Sequence, residues 1–250
     1  MKTALIDADT LVYEASLASE NPIEWGDELW TLHASMAEAR FRFDGLVSDI
    51  KEATGADTLV LALSDGDNEA RWRNKVMPTY KMNRKRVRRP VCYVPLRQYC
   101  HESYTTFERP TLEGDDVLGI LMTHPSLVKG EKVLVAIDKD MRTIPGEHYN
   151  YTKQEHFTIM PSEAAYHHML QTLMGDSTDG YPGCPGIGKV TASRLLDGAS
   201  SSDEFWSIVV KAYEKAKLSE EVALQNARVA RICHHTDYDF NKKEVILWHP

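Results

Sequence analysis

The chain has 250 residues, 42% hydrophobic and 26% charged, with a net charge of −8. That composition fits one large globular domain, or a domain with an appendage. No apolar run approaches the roughly 20 residues of a membrane span. The start, MKTALIDADT, meets acids too early for a secretory leader, and four cysteines without a C-x-x-C pair exclude a disulfide scaffold and a zinc module and suit a reduced, cytoplasmic protein.

The first predicted element is a buried strand, Thr3–Ile6, which runs straight into Asp7. Thr58–Leu63 runs into Asp65 and Lys132–Ile137 into Asp138 in the same way. Helical patterns lie between them, at Leu32–Ile50 and Asp116–Met122. This alternation predicts an α/β fold, with a mostly parallel central sheet and helices on both faces. Ligands bind beyond the carboxyl ends of such strands. One strand-end Asp is often only a turn residue; three at one edge point to a site.

Between the second and third strands, Arg71 to Arg89 holds nine Lys and Arg and no acid, with Trp72 and Tyr80 interleaved. A basic run is most often a solvated face, and the net charge alone argues against a polyanion partner. Rings that stack on bases beside cations that neutralise phosphates nevertheless suit single-stranded nucleic acid. Then comes TLEGDDVLGIL (111–121), with Glu113, Asp115 and Asp116 crowded at a helix entrance. The helix dipole accounts for one or two of them. Gly114 costs about 1 kcal/mol there, and it stands where a capping box from Thr111 would want Glu or Gln. A bound cation is the other explanation for the crowding.

From Pro161 the character changes. A helix, PSEAAYHHMLQTLM, ends at Gly175, and the loop GDSTDGYPGCPGIGK follows with Asp176 and Asp179. The helical VTASRLLDG, stretches near Asp203–Lys217 and Glu220–Ile232, and a strand-like EVILW complete the chain. The organisation read from this is an α/β core over 1–160 and a helical region over 161–250, packed as one unit.

Three chemistries compete. Gly183 to Lys189 has the spacing of a phosphate-binding ATPase loop, but Val190 stands where Ser or Thr should hold magnesium, and a helix precedes the loop instead of a strand. IDADTLV is similar to the nucleophile strand of haloacid-dehalogenase phosphatases, which leaves Glu113, Asp115, Asp116 and Asp140 without a role. The third reading uses every acid cluster: Asp7, Asp65, Glu113, Asp115, Asp116, Asp138, Asp140, Asp176 and Asp179. Nine carboxylates at one sheet edge repel each other unless cations join them. Oxygen ligands without His or Cys favour Mg²⁺, or Mn²⁺ in its place. Two such ions about 4 Å apart make a phosphodiester hydrolase. P-G-I-G-K before T-A-S-R-L-L then reads as a helix–hairpin–helix. Its amides at Gly186, Ile187 and Gly188, with Lys189, can approach a DNA phosphate without reading bases.

The ordered set L-E-G-D-D, I-D-K-D, G-D-S-T-D-G and P-G-I-G-K, with T-Y-K-M-N-R-K at 79–85, resembles the phage 5′→3′ exonuclease and flap endonuclease family. The tail ARICHHTDYDFNKKEVILWHP looks closest to the small exonucleases of short-tailed phages. The resemblance implies a PIN-like nuclease core and a helix–hairpin–helix region. It assigns Asp7, Asp65, Glu113, Asp115 and Asp116 to a first metal centre, and Asp138, Asp140, Asp176 and Asp179 to a second. Some of these acids would bind through water. It places Lys81 and Arg84 over the scissile phosphate to stabilise transition-state charge, and Tyr80 on a terminal base. Arg71, Arg73 and Lys85 would be further DNA contacts, and K⁺ would sit at the hairpin. The implied substrate is duplex DNA with a 5′ end, with RNA–DNA hybrid as a second. The implied setting is phage replication in the host cytoplasm.

There are departures. Asp9 is an extra acid beside Asp7, read equally as an outer-shell residue or a helix cap. The segment from Lys81 to Glu113 is short for the long arch of the larger flap endonucleases, and the tail has no sliding-clamp motif; both favour digestion from an end. His101, His124, His167, His168, His234 and His235 lack ligand spacing. The alternatives are a structure-specific flap endonuclease, the phosphatase, and a non-catalytic DNA-binding protein, which the intact acid set disfavours.

Overall fold

The computed structural model describes residues 1–83 and 87–250. Strand β1 (Lys2–Asp7) enters α1 (Ala8–Ala18) directly. An antiparallel hairpin of β2 (Glu20–Glu24) and β3 (Trp30–Ala34) follows, then α2 (Met36–Thr54) and β4 (Thr58–Ala62). Next come α3 (Trp72–Val76), α4 (Tyr93–Ser103), β5 (Thr106–Phe107), α5 (Gly114–Thr123) and β6 (Glu131–Val135). A 3₁₀ turn (Lys139–Thr143) leads to β7 (Gly146–Asn150) and β8 (Glu155–Ile159). The rest is α6 (Pro161–Met174), α7 (Lys189–Leu196), α8 (Ser202–Lys215), α9 (Glu220–Ala230) and a ribbon of β9 (Tyr238–Asp239) and β10 (Glu244–Val245).

The main sheet has the order β5-β4-β1-β6-β7-β8. All neighbours in it are parallel except β7 with β8. The expected sheet, mostly parallel and covered by helices on both faces, is what the chain builds. Successive strand residues show why. Ala4, Ile6, Leu61, Val133 and Val135 face a core with Leu11, Phe43, Val47 and Leu96 from α1, α2 and α4. Leu5, Ala62 and Leu134 face the opposite core, with Val117, Leu118 and Leu121 of α5 and with Ile232 and Tyr238. Strands buried on both faces are apolar at every position, which is why they stand out in the sequence. The strand order reverses between β1 and β6, the switch point at which α/β sheets open a crevice. Asp7 and Asp138 lie at that edge.

The helices after residue 160 share a core of their own, including Leu173, Phe205, Val209 and Tyr213. All four cysteines are buried and unpaired. No described helix is long and apolar enough to cross a membrane.

Two elements differ from expectation. Helix α2 begins at Met36 and not Leu32, because 30–34 pairs with 20–24 and Ser35 then accepts a bond from the Glu38 amide (3.3 Å). The hairpin itself has no pattern to betray it. Trp25, Leu29 and Trp30 are exposed, so its apolar residues follow no core-facing period. The capping box of α5 also exists, two residues later than the position tested in the sequence: Asp116 accepts from the Glu113 amide (3.3 Å).

Candidate active site

Beyond the ends of β1 and β6 lies a polar cavity of about 160 Å³. Five carboxylates line it: Asp7, Glu113, Asp115, Asp138 and Asp179. The cations Arg71 and Lys81 share it, with Thr10 and Ser64. Asp7 caps α1, accepting from the Thr10 hydroxyl (2.5 Å) and the Thr10 amide (3.3 Å). Burial, with Asp9 and Asp138 nearby, pushes the Asp7 carboxyl up to about 6. Burial, with Asp7, Glu113 and Asp138 close by, holds Asp115 well above the usual carboxylate range. Glu113 goes the other way. Burial is overcome there by Lys81, Arg73 and Arg71, and the carboxyl stays well below its usual value.

Lys81 is the central cation. Its Nζ donates to Glu113 Oε1 (2.8 Å) and lies 3.5 Å from Asp179 Oδ2. Its amide donates to the Asp179 carbonyl (2.8 Å), from a left-handed backbone with φ +52°. Arg71 Nη1 reaches Glu113 Oε1 at 3.2 Å.

Asp140 and Asp176 flank the cup. Asp138 accepts from the Asp140 amide (2.9 Å), and Asp140 accepts from Gln171 Nε2 (2.5 Å). Burial, helped by Asp138, pushes Asp140 up to about 7. Asp176 takes Lys139 Nζ at 3.0 Å. With Lys139, Gly188 and Lys189 it lines a groove of about 360 Å³. In the hairpin, Gly186 has φ +76°, Gly188 precedes α7, and a Cβ on Gly188 would meet nothing within 4 Å. Internal packing therefore does not demand glycine at 188, whereas close approach of an outside group would.

A cleft of about 540 Å³ adjoins the cup through Arg71 and Lys81, lined also by Tyr13, Arg88, Arg89 and Tyr93. Tyr13 and Tyr93 went unnoticed in the sequence, where nothing separates them from ordinary helix aromatics. Ser64 and Thr10 were missed too.

Four expected site residues sit elsewhere. Asp65, three residues past the end of β4, turns its carboxylate to the amides of Thr111 (2.7 Å) and Asp67 (3.0 Å); Ser64 faces the cavity instead. Asp116 is 0% exposed. Its oxygens accept from Arg73, Trp72 Nε1 and the Cys233 amide, so it cannot also reach the cup. Arg73, expected on DNA, is 3% exposed and is the buried partner of Glu113 and Asp116. Tyr80, expected to stack on a base, is 4% exposed. Its ring packs with Met77 and Tyr181, and its hydroxyl donates to Glu113 (3.0 Å) and Asp179 (3.2 Å). Arg84 and Lys85 lie outside the described residues. His168 is buried and His234 half-buried, and they are bonded to the carbonyls of Ala227 and Thr143, in structural roles.

Among the described residues, no three His, Cys, Asp or Glu side chains form a preformed ion-binding group. Cations pair with the acids instead: Lys81 with Glu113 and Asp179, Arg71 with Glu113, and Lys139 with Asp176. The donor set fits divalent ions nonetheless. It is all oxygen, it is confined to one small cavity, and Asp7 and Asp115 bind protons more tightly than free carboxylates do, a preference that a cation would offset.

No family model matches the chain. The exonuclease of Escherichia phage T7 is 30% identical, across 98% of this chain and 93% of that protein. The exodeoxyribonuclease of Enterobacteria phage T3 is 28% identical, across 98% and 92%. Among solved structures, zinc-bound T5 5′-exonuclease matches with a TM-score of 0.67 at 16% identity, covering 92% of this chain and 89% of that one. At that identity the match concerns the fold. The sequence relatives carry the stronger statement, since their likeness runs nearly end to end: the chain belongs to the phage 5′→3′ exonuclease and flap endonuclease family.

Proposed function

We propose that this 5′→3′ exonuclease digests duplex DNA from a 5′ end, using two Mg²⁺ ions held by the acid cup. The observation that carries this reading is the convergence of five carboxylates and two cations on one cavity at the sheet switch point. Asp7, Glu113, Asp115, Asp138 and Asp179 would hold the ions, with Asp140 and Asp176 binding at their rim. Mn²⁺ substitutes on the same oxygens. The bound ions supply the Lewis acidity for attack of water on the phosphodiester. Lys81 and Arg71 stand where a phosphate drawn to the cup would arrive, and they stabilise charge on its oxygens. The Gly186–Lys189 hairpin holds the duplex by backbone phosphate contacts, with K⁺ bound at the hairpin. RNA in RNA–DNA hybrids is a second substrate, and primer removal during replication in the host cytoplasm is the setting.

Duplexes labelled at the 5′ or the 3′ end test the reaction. With Mg²⁺ the 5′ label should leave first as mononucleotides or short pieces, and EDTA should stop it. Release of intact flaps would instead support the endonuclease, and turnover of a small phosphate ester without DNA cleavage would refute the reading. Lys189→Ala should lower the salt dependence of duplex binding by roughly one phosphate contact. An unchanged salt slope would remove the hairpin from the interface.

Metal and pH should act together on stability. Asp7 and Asp140 hold their protons more tightly when folded, up to about 6 and about 7. Without metal, their contribution is fully present below the unfolded value near 3.8 and is lost as pH rises through those values. For Asp7 alone this amounts to about 3 kcal/mol. Divalent ions offset the loss by binding the deprotonated cup. The gap between melting temperatures in Mg²⁺ and in EDTA should therefore widen from pH 5 to pH 8. An equal gap at both pH values would contradict a metal role for these acids.

A further inference from the structure

We infer that Asp9 and Arg97, neither of which lines the cup, are positioning residues that set its width by clamping Ser64. This rests on the cup reading above. Ser64 lies just beyond β4, is 9% exposed, and lines the acid cavity. Each of its polar groups is held by a different helix. Its amide donates to Asp9 Oδ2 of α1 (2.8 Å), its carbonyl accepts from Arg97 Nη2 of α4, and its hydroxyl accepts from the Gly114 amide of α5 (2.8 Å).

The clamp is itself braced. Arg97 Nη1 donates to Asp9 Oδ1 at 2.8 Å and Nη2 donates to Glu108 Oε2 at 2.6 Å. Glu108 in turn accepts from the Gly66 amide (3.3 Å), just past the same strand. A planar guanidinium with fixed donors is suited to such a joint. The first turn of α5 presses against it. A Cβ on Gly114 would stand 3.1 Å from Asp9 Oδ2 and 3.6 Å from the Ser64 amide. The glycine inside L-E-G-D-D is thereby explained: α5 must approach Asp9 this closely.

The consequence lies in the spacing of the acids. Asp7 is two residues before Asp9, while Glu113 and Asp115 flank Gly114. The Asp9–Ser64–Gly114 chain is thus a direct polar tie between the two sides of the cup. Without it, repulsion among Asp7, Glu113 and Asp115 pushes α1 and α5 apart. An acid in the first turn of α1 would also serve the helix dipole, but that role would leave metal affinity untouched.

The test uses the full chain with Asp9→Ala, Arg97→Met, the double variant, and Asp9→Asn, which keeps an acceptor for the Ser64 amide. Three readouts are taken: hydrogen exchange at the Ser64 and Gly114 amides, Mn²⁺ binding by electron paramagnetic resonance without DNA, and 5′-end cleavage. Asp9→Ala should speed exchange at both amides and weaken Mn²⁺ binding by about tenfold or more, the scale of ligand-supporting contacts. The double variant should be no worse than Asp9→Ala, and Asp9→Asn should recover part of the loss. Normal Mn²⁺ affinity and normal cleavage in Asp9→Ala, whatever its melting temperature, would overturn the inference. Should Asp9→Ala fail to fold, Asp9→Asn decides by the same criteria. Asp115→Asn runs in parallel. If it binds Mn²⁺ and cleaves as the parent does, the cup reading fails; if it fails to do so while Asp9→Ala behaves as the parent, only the clamp does.

Discussion

Asp115→Asn should abolish 5′-end cleavage while metal-free duplex binding stays as tight as in the parent. Asp115 lies inside the cavity, one residue from the Gly114 contact, and burial among Asp7, Glu113 and Asp138 holds its carboxyl well above the usual carboxylate range, favouring the neutral form without metal. An amide of the same shape removes the negative charge a divalent ion would bind, yet it preserves the packing of the first turn of α5. The expected loss is roughly 10³-fold in cleavage rate, or about 4 kcal/mol of transition-state stabilisation. DNA affinity in EDTA is little changed, because without metal burial already favours the neutral form of this carboxyl. Filter binding in EDTA beside single-turnover cleavage in Mg²⁺ separates the two effects. Full cleavage in the variant would remove Asp115 from the chemistry. Loss of binding with unchanged cleavage per bound complex would make it a DNA contact.

The parts of the site that were legible in the sequence are those that depend on near neighbours. Strands β1, β4 and β6 are apolar on both faces, so their ends and the acids after them can be read directly. Glu113 and Asp115 straddle a glycine whose cost demanded a reason. What could not be read is which acid points where. Asp65 and Asp7 both follow buried strands, but the loop amides at Asp67 and Thr111 capture Asp65. Asp115 and Asp116 are adjacent on one helix, so they face different directions, and only one can enter the cavity. The basic run, read as a surface for single-stranded nucleic acid, holds residues of different fates, because charge pattern is silent about partners 40 residues away. Inside it, Arg73 is buried and Lys81 half-buried against Glu113, whereas Arg88 is exposed and paired with Glu20. The reading of Tyr80 failed for the same reason: stacking on bases and a buried hydroxyl bond to Glu113 call for the same residue type.

Arg73→Met should be the most destabilising single substitution in this part of the molecule, and it should not act as the loss of a DNA contact. The guanidinium sits between two buried carboxylates. Nη1 donates to Glu113 Oε2 and Asp116 Oδ2, both at 2.7 Å, and Nη2 donates to Asp116 Oδ1 at 2.7 Å. Its remaining donors reach the carbonyls of Val229 (3.0 Å) and Arg231 (2.6 Å), tying α3 to the end of α9. Methionine fills much of the volume but leaves both acids buried beside one fewer cation. Removing one member of such a buried set costs about 3–5 kcal/mol, because the surviving charge cannot be hydrated. For a chain of this size that lowers the melting temperature by roughly 10 °C. Arg73→Lys should recover only part of it, since an ammonium cannot satisfy two carboxylates and two carbonyls in one plane. Below the transition, the folded variant should bind duplex DNA with the parent's salt slope, because a residue 3% exposed releases no counter-ions. A variant with normal melting and a shallower salt slope would return Arg73 to the DNA interface. The predicted result makes it, beside Lys81 and Arg71, an internal counter-charge that lets Glu113 stay ionised at the wall of the cup.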